Sequence, residues 1–280
     1  MNGKTCLVTG ATHGIGLVTA RALAAAGATV LVHGRNPELG ATVTADIRRA
    51  SGNSAVRYVQ ADFLHLEEVR ELAEQLVRLP RLDVLISNAG LMDVERRCTA
   101  EGYDATFGVN HLAPFLLTNL LLEKLTQSAP ARVIVVASEA HRRARLDFSD
   151  LMNARVGFLR AYERSKLANL LFVRALARRL KGSGVTVNGA HPGFVRSELF
   201  RGFRGPLRLL LAIALRPFMR SPKQGARTSV YLATAPEVEG ESGGYYRDCR
   251  RIEPSAAARC DEAAARLWSE SVRLTGLGRA

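Results

Sequence analysis

From Lys4 to Gly193 short β-branched runs alternate with longer amphipathic stretches, and that alternation narrows the architecture to very few choices. LVTG, TVLVHG, AVRYVQAD, LDVLISNAG, ARVIVVAS and GVTVNGAHPG read as strands. Between them Glu67 to Leu79, Tyr103 to Leu125 and Leu159 to Lys181 carry apolar positions at helical spacing. Parallel strands need long crossovers, and right-handed crossovers put helices on both faces. The pattern therefore predicts one α/β domain over residues 1–280, a doubly wound parallel sheet of about seven strands. After His191 the rhythm changes, and 194–222, with Gly202, Gly205, Pro206 and Pro217 around LLLAIAL, reads as a partly helical lid. Residues 223–235 then return to a core helix and GGYY at 243–246 to a last strand, with a loop and a terminal helix closing the chain.

Composition excludes several classes. Hydrophobic residues make up 47% of the 280, enough for a sizeable core. The net charge of +13 is scattered, without the basic tail of a nucleic-acid arm, so nucleic acid is not expected as a partner. Cys6, Cys98, Cys249 and Cys260 form no CxxC pair, so free thiols in a reducing cytoplasm are expected and no metal site. The start, MNGKTCLVTG, runs straight into a strand, and Leu207 to Leu215 is too short to span a bilayer, so neither secretion nor a transmembrane segment is expected.

Thr9-Gly10-Ala11-Thr12-His13-Gly14-Ile15-Gly16 stands between the first strand and a helix beginning near Ile15. Glycines there let the backbone turn tightly and approach a pyrophosphate, whose charge meets amide groups at the helix N-terminus. The strand–turn–helix setting makes a bare turn the poorer reading. Cofactor choice falls at the end of the second strand, where His33-Gly34-Arg35-Asn36 offers no carboxylate for a ribose hydroxyl. Arg35 forms a planar fork that suits a 2′-phosphate, and His13 is either a second donor or a solvated loop residue. NADP(H) is expected. Asp62, with Phe63 beside it, fits a bond to the adenine amino group, or equally the N-cap of a helix starting near Leu66. Asn88-Ala89-Gly90 closes the fourth strand, at the edge where open α/β sheets collect ligands.

Tyr162-Glu163-Arg164-Ser165-Lys166 opens a long amphipathic helix. A spacing of four puts phenol and ammonium on one face, and the ammonium is expected to draw the phenol's acidity toward neutral pH. Ser138 ends the fifth strand, where it would hold a substrate oxygen. Asn110, in FGVNHLAPF, is awkward inside a regular helix, and either a local kink holding a water or a tolerated polar residue accounts for it.

Together these residues resemble the short-chain dehydrogenase/reductase family, with its Rossmann-type fold, from about Lys4 to beyond Gly244: TGATHGIG, NAG, Asn110, Ser138, YERSK and HPG occur in the family's order. The resemblance implies a catalytic tetrad of Asn110, Ser138, Tyr162 and Lys166. Tyr162 would exchange the proton, Ser138 orient the oxygen, Lys166 also bind the nicotinamide ribose and Asn110 support a proton relay. It extends the cofactor-binding set from Gly10, Thr12, His13, Gly14, Ile15, Gly16, Arg35, Asp62, Phe63, Asn88, Ala89 and Gly90 to Tyr162, Lys166, Pro192, Gly193 and Val195. FGVNHLAPFLLTNLLLEKL, SKLANLLFVRALARRL and the 24 residues between Ser138 and Tyr162 look most like the retinol dehydrogenase branch, which favours NADP(H) and apolar substrates.

The expected activity is hydride transfer between NADPH and a small apolar aldehyde, ketone or alcohol, with reduction as the cellular direction. A tailoring ketoreductase acting on a polyketide-like or steroid-like intermediate is the alternative in the same fold. A non-redox protein using bound nucleotide is the alternative from another class, and a module touching a membrane surface through its lid comes last. The resemblance also suggests a homodimer paired through the long crossover helices.

Overall fold

The computed structural model describes residues 1–195 and 219–278. Its elements run β1 (Thr5–Val8), α1 (Gly14–Ala25), β2 (Thr29–Gly34), α2 (Pro37–Ser51), β3 (Val56–Gln60), α3 (Leu66–Val77) and β4 (Val84–Ser87). They continue with α4 (Ala105–Phe107), a π-helical turn (Gly108–Leu112), α5 (Ala113–Leu120), α6 (Leu122–Gln127), β5 (Ala131–Val136) and a 3-10 turn (Glu139–Arg143). Then come α7 (Phe158–Arg179), β6 (Val185–His191), α8 (Pro222–Thr234), β7 (Tyr245–Arg247), β8 (Arg250–Ile252) and α9 (Asp261–Thr275). The strands form one sheet in the order β3-β2-β1-β4-β5-β6-β7-β8, parallel except for β8.

Both faces of this sheet are covered, so its inner strands must be apolar on both sides. Leu7, Leu31, Leu85, Val133 and Val135 pack with Leu72 of α3, Phe115 of α5 and Phe172 of α7. Their neighbours Cys6, Val8, Val30, Val32, Ile86 and Ile134 pack with Leu23 of α1, Ile47 of α2 and Leu232 of α8. Local signals set the helix ends. Asn36 accepts from Leu39 N at 2.7 Å to cap α2, Pro37 opens it, and Gly52 at φ 65° closes it.

Two local expectations are corrected. The stretch from Tyr103 to Leu125 is not one helix but α4, the π turn, α5 and α6. Pro114 explains part of this, because it has no N–H to return to the carbonyl of Asn110 four residues earlier. The doubly wound sheet of about seven strands is present, with eight strands in all. The segment after GGYY, read as loop, folds back as β8 through Asp248 and Cys249, both in the left-handed region at φ 53° and 61°. That conformation suits a two-residue hairpin turn, but its usual glycine or asparagine signature is missing here. Most of the lid expected over 194–222 lies outside the described residues. At its edges Val195 bridges Arg220, and α8 starts at Pro222.

Candidate active site

β1 and β4 are neighbours whose following connections leave in opposite directions, which opens a crevice at their carboxyl ends. The glycine loop after β1 and the Asn88-Ala89-Gly90 turn after β4 meet there. Thr9 Oγ1 accepts from Asn88 N at 2.9 Å and Ala89 N at 3.0 Å. Asn88 Nδ2 donates back to the carbonyls of Thr9 and Gly10 at 2.8 and 3.1 Å. The fit is tight enough that a Cβ on Gly16 would lie 2.4 Å from Gly10 O, and one on Gly10 2.8 Å from Ala89 Cα. Over Gly14, by contrast, the space is open. Thr12 Oγ1 and His13 Nδ1 pair at 2.9 Å, and Ile15 turns its side chain toward Gly225 of α8.

His33, which sequence reasoning passed over in favour of Arg35, is the hidden support of this loop. Its Nδ1 accepts from Gly10 N at 3.1 Å, which leaves Nε2–H to donate to Ala61 O at 3.1 Å. Burial lowers its pKa to about 4, so the ring stays neutral and can fill both roles. Phe63 stacks on it, with centroids 4.4 Å apart. Arg35 follows at the mouth of the crevice, 62% exposed, with Asp62 3.8 Å away. Asp62 does not cap α3. Its Oδ1 accepts from Leu64 N at 3.0 Å, and Glu101 accepts from Leu66 N instead.

The four residues expected to act together converge on the next stretch of the same edge. Asn110 is fully buried in the π turn. Its Oδ1 accepts from Leu91 N at 2.7 Å, and its Nδ2 donates to Leu91 O and to Ser165 Oγ, both at 2.9 Å. Ser165 in turn donates to Tyr162 O at 2.8 Å, so the Asn110 amide ties the loop after β4 to the first turn of α7. Neither Ser165 nor Leu91 stood out in the sequence, although the kink that places Asn110 is announced by Pro114. Ser138 caps the 3-10 turn, accepting from Ala140 N at 3.2 Å, and its side chain stands close enough to the Tyr162 phenol to influence its acidity. Lys166 Nζ lies 5.6 Å from the centre of the Tyr162 ring and donates to Val136 O at 3.2 Å. Beyond β6, Gly193 at φ 82° and Val195 stand at the same carboxyl edge, and Gly193 N donates to His191 Nδ1 at 3.2 Å.

The electrostatics depart from the expected pattern. Burial raises Tyr162 to about 12, with the neighbouring Ser138 pulling the other way, and burial lowers Lys166 to about 8. The ammonium therefore does not bring the phenol toward neutrality, because a shared dry site penalises phenolate and ammonium alike. At neutral pH the pair is a phenol that keeps its proton beside a mostly charged amine. That is the protonation state of an acid.

Residues 4–206 match the short chain dehydrogenase family. This chain belongs to that family. Dehydrogenase/reductase SDR family member 13 of Bos taurus is 47% identical over 99% of this chain and 74% of its own length. Retinol dehydrogenase 12 of Mus musculus is 44% identical over 98% and 87%. Among solved structures, an uncharacterised protein from Mycobacterium Paratuberculosis superposes with a TM-score of 0.79 at 32% identity, covering 98% of this chain and 94% of that one. A Beutenbergia cavernae protein assigned as an NAD(P)-dependent gluconate 5-dehydrogenase without that activity being established, with NADP bound at low occupancy, superposes with a TM-score of 0.72 at 28% identity, covering 89% and 96%. Like other short-chain dehydrogenases, the chain is an oxidoreductase with a nicotinamide-binding fold. Its crevice fits such a cofactor: open space over Gly14, backbone amides at the start of α1 and an exposed cation after β2. Among the described residues no helix is long and apolar enough to cross a membrane, and no cluster of side chains could hold a metal ion.

Proposed function

We propose that this protein uses NADPH to reduce an apolar aldehyde or ketone. The observation that carries the reading is the buried Tyr162 phenol with Lys166 Nζ 5.6 Å from its ring and Ser138 beside it, at the same sheet edge as the glycine loop. The amides around Gly14 would hold the pyrophosphate, Arg35 the 2′-phosphate, Asp62 the adenine amino group and Lys166 the nicotinamide ribose. The bound cofactor supplies a hydride. Ser138 Oγ holds the substrate oxygen, and Tyr162 transfers its phenolic proton to that oxygen as negative charge develops there. Lys166, an ammonium below about pH 8, stabilises the phenolate left behind until solvent returns the proton. A phenol that keeps its proton at neutral pH is in the state needed to give one to the developing alkoxide.

The test is a carbonyl panel of decanal, retinaldehyde and a steroid-like or polyketide-like ketone, followed by NADPH absorbance. Turnover of the apolar aldehydes is expected. Conversion of any panel member with no change in nicotinamide absorbance would instead favour a non-redox protein of this fold.

A monomer belongs to the same reading, in place of the homodimer suggested by the family resemblance. The face made by α5 and α7 is covered by α9: Trp268 packs on Phe115 at 5.0 Å and on Phe172 at 6.1 Å. Asp261 pairs with Arg174 at 2.6 Å and also with Arg178. Light scattering is expected to give the mass of one chain, and a stable dimer would show that α9 leaves this face free or that another is used. A cytoplasmic site of action is likewise proposed, with Cys6, Cys98, Cys249 and Cys260 as free thiols.

A further inference from the structure

Ser138 leaves the sheet just before it reaches the site. The last β5–β6 pair is Val136 with Ala190, and Ala137 N still donates to Ala190 O at 2.9 Å. From Ser138 onward the 3-10 turn shapes the chain. His141, fully buried in that turn, gives two N–H groups to the Ser138 carbonyl, its ring Nδ1 at 2.7 Å and its backbone N at 3.2 Å. On the far side of the ring Nε2 accepts from Ser255 N at 3.1 Å. Ser255 belongs to the segment that follows β8, and Arg142 Nη2 reaches the same segment at Glu253 O, 2.6 Å away. The His141 ring also meets that of Tyr245 in β7 edge to face, with centroids 5.3 Å apart.

Two backbone groups fix the protonation of this ring. A carbonyl only accepts, so Nδ1 carries the proton toward Ser138 O. A backbone amide only donates, so Nε2 is bare toward Ser255 N. A second proton would set two donors face to face in a dry site, and burial lowers the pKa of His141, which keeps that proton off. The ring is a neutral imidazole with its Nδ1–H committed to Ser138. The consequence falls on the Ser138 hydroxyl. Its oxygen accepts from Ala140 N at 3.2 Å, which leaves its own proton free to point at a substrate. Freeing the Ser138 carbonyl would let the peptide after it rotate, and Ala140 N would move with it.

We propose that His141 is a positioning residue for Ser138, and that the segment after β8 belongs to the active-site frame because Ser255 holds the ring. The inference rests on the role given to Ser138 above. It draws in residues beyond the matched family region, since Ser255 lies after residue 206.

Two amide substitutions separate the two ends of the ring. His141→Gln can reach Ser255 N with its oxygen but gives up the donor to Ser138 O. His141→Asn puts an amide donor near the Nδ1 position and gives up the acceptor for Ser255. His141→Gln should lower kcat about tenfold and leave the Kd for NADPH within about twofold, because a displaced oxyanion donor is missed in the transition state. His141→Asn should keep kcat within about threefold of the wild type although it melts earlier than His141→Gln. A histidine that served stability alone would give the opposite ranking of rates. In a Ser138→Ala background, itself about a hundredfold slower, adding His141→Gln should change kcat by less than about twofold. Labelling the six histidines with 15N reads the ring by NMR, with neither turnover nor the Gln variant. The signal lost in His141→Asn should be that of an Nδ1–H tautomer. An Nε2–H tautomer overturns the proposal, as does His141→Gln at the wild-type rate or a further tenfold loss in the Ser138→Ala background. Normal turnover in Ser138→Ala removes the serine's role and the proposal with it. A wild type that reduces no carbonyl overturns the proposed function instead, while the tautomer can still be read.

Discussion

Tyr162→Phe is expected to lower kcat by about a thousandfold while leaving the Kd for NADPH within about twofold of the wild type. The variant removes the one group placed to give a proton to the substrate oxygen and keeps the ring that packs there. General acid catalysis is typically worth 10²- to 10⁴-fold, and here Ser138 alone would be left to stabilise the developing alkoxide. The pH dependence carries the same logic. Because burial raises the phenol to about 12 and lowers the neighbouring ammonium to about 8, the alkaline fall in wild-type kcat should follow the lysine. Reduction should be near its maximum at neutrality, fall to about half near pH 8 and decline further as Lys166 loses its charge. Stopped-flow turnover across that range, beside fluorescence titration of NADPH, reads both effects. A Tyr162→Phe enzyme with near-normal kcat would remove the phenol from the chemistry.

Arg35→Ala is expected to raise the KM for NADPH by roughly thirtyfold and to change the KM for NADH by less than about twofold. The estimate takes about 2 kcal/mol for a charge-assisted bond to the 2′-phosphate, a group that NADH lacks. In the protein alone Arg35 is 62% exposed and only loosely paired with Asp62 at 3.8 Å. Such an exposed pair is worth little and would yield readily to a doubly charged phosphate. Steady-state kinetics with the two cofactors make the comparison directly. Equal effects on both would show that the cation at the end of β2 does not select the cofactor.

The sheet and the main site residues were legible because their signals are local. Strands buried on both faces need unbroken apolar runs, and the glycines at 10 and 16 answer contacts that any side chain would violate. What escaped depends on residues distant in sequence. His33 props the glycine loop only because β2 lies beside β1, and nothing in its own neighbourhood announces that contact. The Asn110 clamp on Leu91 and Ser165 joins three separate segments. Pro114 did carry a readable sign of the break in the helix, since a proline cannot serve the carbonyl four residues back. The β8 hairpin was hidden because Asp248 and Cys249 take left-handed conformations without the usual glycine. The electrostatic expectation erred for a different reason: spacing on a helix shows that an amine and a phenol are close, but not how dry their surroundings are.

Isotope transfer tests the central assignment most directly. Decanal is incubated with the enzyme and NADPH deuterated at the transferring position of C4, and the product is analysed by mass spectrometry. Decanol with a single deuterium on its carbinol carbon, formed by the wild type and nearly absent with Tyr162→Phe, is the expected result. Decanol without the label, or labelled decanol made equally well by both proteins, would contradict it.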